Sequence, residues 1–288
     1  MMKTIAIVSC RIFEDELTLL MKKETAKGKN AKLILIETEI TESIEKKFAS
    51  EGIDFIKTKE DGLKETIERI ETVERIETVE TVEKESAGEN DVIGVIILQL
   101  IEFSMEAHPA EIKDVVYDKV RGFQERGADG VMVFYGLCGN VLGSVEGDLS
   151  KPECPVRILK DEDGDIADDC ICVALGSRKR YVNILKSAAK TGGTYFLTPM
   201  QAAYWREIAY ASALTPDPND DEMIKIVFEY SDYKNVGKIT TGLTYEKEFD
   251  GIVDDFSQRF CLNIVDYEGT TAVIENSYDR FIKELKKN

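Results

Sequence analysis

The stretch VMVFYGLCGN, residues 131–140, decides how the chain reads. Residues 131–135 form a short apolar run rich in β-branched and aromatic side chains, the composition of a buried strand. The run stops at Gly136, and Cys138 follows between Leu137 and Gly139. Glycine reaches backbone conformations closed to other residues, so Gly136 and Gly139 let the chain turn sharply and present the cysteine beyond the strand end. In an open α/β sheet, ligands bind just outside the carboxyl ends of the strands. A thiol held there suits metal binding, attack on a substrate or contact with a cofactor. It equally suits packing as a small hydrophobe.

The same alternation runs outward in both directions. Residues 3–10 (KTIAIVSC) read as a strand ending on Cys10, and residues 91–100 (DVIGVIILQL) as the most hydrophobic strand. After the latter, a loop carries His108, with Pro109 suited to the first turn of a helix over 111–126. Apolar residues at helical spacing also mark 14–23, 200–213 and 271–286, with further strands at 32–37, 193–198 and 261–266. Strands and helices alternate throughout. This predicts an α/β chain with a layered, Rossmann-like architecture and a mostly parallel sheet. Its length allows two α/β lobes, 1–190 and 191–288.

Residues 57–90 interrupt that pattern. ERIETV occurs at 68–73 and again at 74–79, and apolar residues recur at every third position from Ile70 to Val82. Three residues turn a helix by about 300°, so such a stripe drifts around the surface. The segment reads as an acidic insertion, a solvent-exposed helix or a partly disordered arm, and deleting about 60–85 is expected to leave the fold intact.

Charge and cysteine usage narrow the function. Of 288 residues, 43% are hydrophobic, enough for a full core, and 55 acidic against 37 basic residues give a net charge of -18. That field repels phosphate backbones, so neither nucleic acid nor an anionic membrane is an expected partner. The apolar runs are too short to span a bilayer and no secretory signal is evident, so a cytoplasmic location is expected. The six cysteines are Cys10, Cys138, Cys154, Cys170, Cys172 and Cys261, with no CxxC among them, and His108 is the sole histidine. Thiols or metal ligands are therefore expected in place of a disulfide framework.

Cys10, His108 and Cys138 each follow a predicted strand, and Cys170 precedes an apolar run. Three thiolates and one imidazole make an ordinary tetrahedral zinc site, so these four are the candidate metal ligands, with Asp169 in reserve. Tyr135, Gly136, Gly139 and Asn140 around Cys138 are candidate cofactor-binding residues. Gly176, Ser177 and Arg178 join them, because converging backbone N–H groups beside an arginine bind anions. The acidic run 160–169 lacks the ligand spacing of an EF-hand. There is no full GxGxxG or Walker A motif.

Cys10 before an acidic helix, His108-Pro109, YGLCGN over 135–140, Asp169-Cys170-Ile171, LGSR over 175–178 and GTYFLT over 193–198 together resemble the DUF1638 family of archaeal and bacterial proteins. The similarity covers most of the chain outside 57–90. A His-Asp-Cys triplet is usual in the family where this chain has Asp168, Asp169 and Cys170, so Asp168 departs from the pattern. The resemblance implies a setting in corrinoid-dependent methyl transfer. Two functions are then expected as alternatives. One is a zinc-binding methyltransferase or accessory factor acting through the Cys/His site. The other is a non-catalytic protein that binds a corrinoid protein, a methyltransferase or a small ligand, the corrinoid arriving with its partner.

Overall fold

The computed structural model describes residues 3–26, 31–80, 93–103 and 109–287. The chain begins with β1 (Lys3–Cys10), α1 (Glu14–Glu24), β2 (Lys32–Ile36), α2 (Glu42–Glu51), β3 (Ile56–Thr58) and α3 (Leu63–Glu80). It continues through β4 (Ile93–Ile101), α4 (Pro109–Glu125), β5 (Gly130–Phe134), α5 (Val145–Leu149), β6 (Val156–Ile158) and α6 (Cys170–Leu175). The second half holds α7 (Arg178–Ala188), β7 (Gly193–Leu197), α8 (Pro199–Ala203), α9 (Trp205–Ala211) and α10 (Asp221–Tyr230). It ends with β8 (Tyr233–Thr240), α11 (Phe249–Phe260), β9 (Asn263–Glu268) and α12 (Ala272–Leu285).

Six strands form one sheet in the order β3-β2-β4-β1-β5-β6, and every pairing is parallel. β1 lies in the middle, and its residues from Ile5 onward are buried. A parallel strand covered on both faces needs apolar side chains on both, which explains the near-continuous hydrophobic runs in β1, β4 and β5. A second, smaller parallel sheet has the order β7-β8-β9. Its core is aromatic, with Trp205, Phe228, Phe256 and Phe260 packed edge to face. No helix among the described residues is long and apolar enough to cross a membrane.

The chain passes between the two lobes more than once. The second sheet begins with β7, but α12 returns to the first. Val273, Tyr278 and Phe281 of α12 belong to the large core, and Phe281 lies against Gly130 of β5. The outgoing and returning segments meet side by side, where Thr270 N–H donates to Ala174 C=O at 2.8 Å.

Two further expectations change. The start of the predicted insertion is structural: β3 pairs with β2, and α3 packs its Leu63 and Ile70 into the large core. Leu63, Ile67 and Ile70 follow the i, i+4, i+7 spacing of one helix face. The helix predicted over 200–213 breaks at Tyr204, which caps α8 and precedes α9.

Candidate functional site

β1 and β5 are neighbours with Ser9 opposite Phe134, so the residues after them, Cys10 and Tyr135, emerge together at the carboxyl edge. A third segment is drawn to the same place. Leu137 N–H donates to Ala167 C=O at 2.8 Å, and Cys138 N–H to Asp168 C=O at 3.2 Å. Gly136 permits this approach: a Cβ there would stand 2.6 Å from Ala167 O and 2.9 Å from Asp169 N. Beyond it, Cys138, Gly139 and Asn140 are all left-handed, with φ of 44°, 71° and 66°. Glycine accepts that conformation freely and asparagine tolerates it, but Cys138 does not favour it, and such strain is held in place only by its surroundings.

Asp169 is the N-cap of α6. Its Oδ1 accepts from Cys172 N–H at 2.8 Å, and its Oδ2 from the Tyr181 hydroxyl at 2.8 Å. Burial pushes its carboxyl above the usual range. The Cys172 N–H and the Tyr181 hydroxyl oppose that shift, and Asp168 adds to it. Burial, and then the Asp169 charge, push the Tyr181 hydroxyl well up. Cys170 Sγ accepts from Gln201 Nε2 at 3.3 Å, which ties α6 to the second lobe. Gln201 is itself held by a capping box with Thr198 at the start of α8.

These groups surround a cavity of about 360 Å³ between the two sheets. Cys10, Cys138, Asp169, Cys170, Tyr181 and Gln201 are part of its polar lining, with the hydroxyls of Thr194 and Ser212. Phe13, Phe103, Tyr135, Tyr195, Phe196 and Tyr233 supply an aromatic one. Its volume falls at the small end for ligand pockets, and its few converging polar groups on an apolar lining are typical of them.

The structure thus brings three of the four predicted metal ligands, Cys10, Cys138 and Cys170, to one cavity. His108 lies outside the described residues. Among the described residues, no three His, Cys, Asp or Glu side chains come together as a metal-binding group. Of the predicted cofactor residues, Tyr135 and Gly136 line the cavity, while Gly139 and Asn140 shape the turn behind Cys138. Gly176, Ser177 and Arg178 do not line this cavity. Gly176 caps α6, Ser177 Oγ accepts from Arg180 N–H at 3.2 Å, and Arg178 pairs with Asp168 at 3.0 Å. Of the remaining cysteines, Cys154 and Cys172 are buried, with thiols pushed up to about 11 by burial, and Cys261 is exposed.

A second cluster went unread in the sequence. Acids at the start of a helix usually lie in solvent, where they balance its dipole. Here Glu14, Asp15 and Glu16 of α1 are all buried. Lys47 of α2 reaches Asp15 Oδ1 at 2.7 Å, Glu14 Oε2 at 3.4 Å and Glu246 Oε1, from the second lobe, at 2.7 Å. One ammonium is shared among three carboxylates. At Glu14 and Asp15 burial outweighs Lys47 and raises both carboxyls. At Lys47 burial acts downward, but Asp15 and Glu14 together outweigh it and hold the amine above its usual value. Nearby, Arg11 stacks on Tyr204 and Phe103, with its guanidinium carbon 4.3 and 4.9 Å from the two ring centres.

Compared with known protein families, residues 100–278 match the one described as "Protein of unknown function (DUF1638)", over more than half of the chain. The chain belongs to the DUF1638 family. The DUF1638 match takes in the Cys138 and Cys170 loops and Gln201, and it begins beyond Cys10, the buried acids of α1 and Lys47. No curated protein and no solved structure matches the chain.

Proposed function

We propose that this protein binds a small molecule in the cavity between its two sheets and handles it through the thiols of Cys10, Cys138 and Cys170. The reading rests on one observation: three cysteines from separate parts of the chain line a single cavity at the carboxyl edge of a parallel sheet. The setting that the family resemblance implies is corrinoid-dependent methyl-group metabolism, with a corrinoid protein or a methyltransferase as partner. At about 360 Å³ the cavity suits a small metabolite, so a corrinoid would stay with that partner. Thiol labelling tests the reading. Iodoacetamide should modify Cys138 or Cys170 in the protein freed of ligand by dialysis, and a cell-extract metabolite fraction should slow that modification without affecting Cys261. Equal rates for all three thiols, with and without the fraction, would end the proposal.

A second reading is favoured by the same three cysteines. Thiolates are soft donors suited to zinc, and Cys10, Cys138 and Cys170 with His108 form the donor set of an ordinary site. A zinc ion there would act as a Lewis acid toward a bound thiol or carbonyl. The grouping of the described residues does not favour a preformed closed site. Elemental analysis of the purified protein separates the readings. Stoichiometric zinc that disappears in both Cys138→Ser and Cys170→Ser supports the metal centre, and metal below a tenth of an equivalent supports the ligand cavity alone.

A further inference from the structure

We infer that the occupant of this cavity is a small organic cation without N–H groups, an alkylated onium such as a quaternary ammonium. The inference rests on the cavity reading above and adds the chemical class of the ligand. It starts from charge. Among the described residues that line the cavity, Asp169 is the one acid, and neither lysine nor arginine joins it. Of the nearby cations, Arg178 pairs with Asp168 and Arg11 with Glu14 and Glu102, and among the described residues no lysine or arginine forms an ion pair with Asp169. An anion entering this space would meet a carboxylate and no counter-charge. A neutral molecule would leave the carboxylate unneutralised, and a cation would balance it. The net charge of -18 also concentrates cations around the molecule.

The lining selects among cations. Both Asp169 oxygens already accept hydrogen bonds, from Cys172 N–H and the Tyr181 hydroxyl. Two of the roughly four acceptor positions of a carboxylate are therefore taken, leaving fewer than three donors would need. A primary ammonium brings three donors that need partners. An alkylated onium brings none, and what it needs is a counter-charge and polarisable ring faces. Phe13, Tyr135, Tyr195, Phe196 and Tyr233 supply the rings, while Phe103 already carries Arg11. Ring faces attract desolvated cations through their quadrupole, which is how aromatic cages hold quaternary ammonium groups. Tyr195 is braced for this role, because Phe256 stacks on it at 5.4 Å and 14°.

Calorimetry on the full chain at fixed ionic strength tests the assignment with three probes of one shape: choline, its neutral isostere 3,3-dimethylbutan-1-ol, and the anion 3,3-dimethylbutanoate. Choline is expected to bind about tenfold or more tighter than the isostere, the anion weakest, and choline is expected to slow iodoacetamide at Cys138. Asp169→Asn keeps an N-capping side chain and should bring choline to within about threefold of the isostere. Phe13→Leu, which removes one ring and leaves the cap alone, should weaken choline and spare the isostere. Equal binding of choline and the isostere, or tightest binding of the anion, overturns the cationic class and leaves the cavity reading standing. If no probe binds or protects Cys138, the onium assignment falls, and the metabolite-fraction labelling above decides the cavity reading separately.

Discussion

At the scale of the residue, the positions that matter are those where chemistry and backbone disagree. Gly136 is one. A Cβ at 136 would meet main-chain atoms of Ala167 and Asp169, which cannot rotate away as a side chain can. Gly136→Ala should therefore cost about 2 kcal/mol or more, read as a lower urea midpoint, and should change the labelling rates of Cys138 and Cys170 together. Glu16 is another. Burial, and then the charge of Asp15, raise its carboxyl from an ordinary 4.5 to about 8. Between those values the folded chain holds a proton that the unfolded chain releases. Stability from this group is therefore full below the lower value and falls as pH rises toward the upper one. Glu16→Gln should match the parent near pH 4 and exceed its stability at pH 9 by on the order of 2 kcal/mol, measured by urea titration at both.

At the scale of the element, α3 shows how the segment ahead of a repeat is anchored. ERIETV suggests a stripe that drifts around a helix and so a segment outside the fold. Ahead of and at the start of the repeat, Leu63 and Ile70 are buried with Ile67 packed beside them, and Glu60 just before them pairs with Lys119 and Arg126 of α4 and its end. Leu63 is fully buried. Leu63→Ala should cost about 2–5 kcal/mol by denaturant unfolding, the range for an emptied core leucine. A cost below about 0.5 kcal/mol would return α3 to the surface, as a solvent-exposed helix requires. The site elements show the reverse case. Asp169 caps α6 with its carboxylate and Thr198 and Gln201 form the capping box of α8, so ordinary helix-starting signals also set cavity-lining groups in place.

At the scale of the whole molecule, two parallel sheets are joined around a cavity and a buried charge cluster. Lys47 belongs to the large lobe, yet it touches Glu246 and the Met200 Sδ of the small one, the sulfur at 2.8 Å. Lys47→Met would leave Glu14, Asp15 and Glu246 without their shared cation. It should cost about 3–5 kcal/mol at neutral pH, as loss of one partner from a buried pair does. The cost should shrink in acid, where the carboxylates take up protons. Urea unfolding followed separately by Trp205 fluorescence and far-ultraviolet dichroism should show two transitions in the variant where the parent shows one. Coincident transitions with an unchanged midpoint would mean that Lys47 does not join the lobes.

By itself the sequence determined the α/β class and the parallel pairing, because strand and helix periods are local and a buried parallel strand must be apolar on both faces. It also placed Cys10 and Cys138 at strand ends, since each follows an apolar run directly. Tertiary structure alone decided the rest. Whether Cys170 joins them depends on Gly136 letting residues 167–169 approach, a contact between segments some thirty positions apart. That Ser177 caps a helix and Arg178 pairs with Asp168 depends on neighbours that no spacing reveals. The return of α12 to the first sheet and the burial of Glu14, Asp15 and Glu16 follow from what packs against them. Periodicity records which face of an element is apolar, while a site is made by the elements that meet there, and their meeting is set by long-range packing.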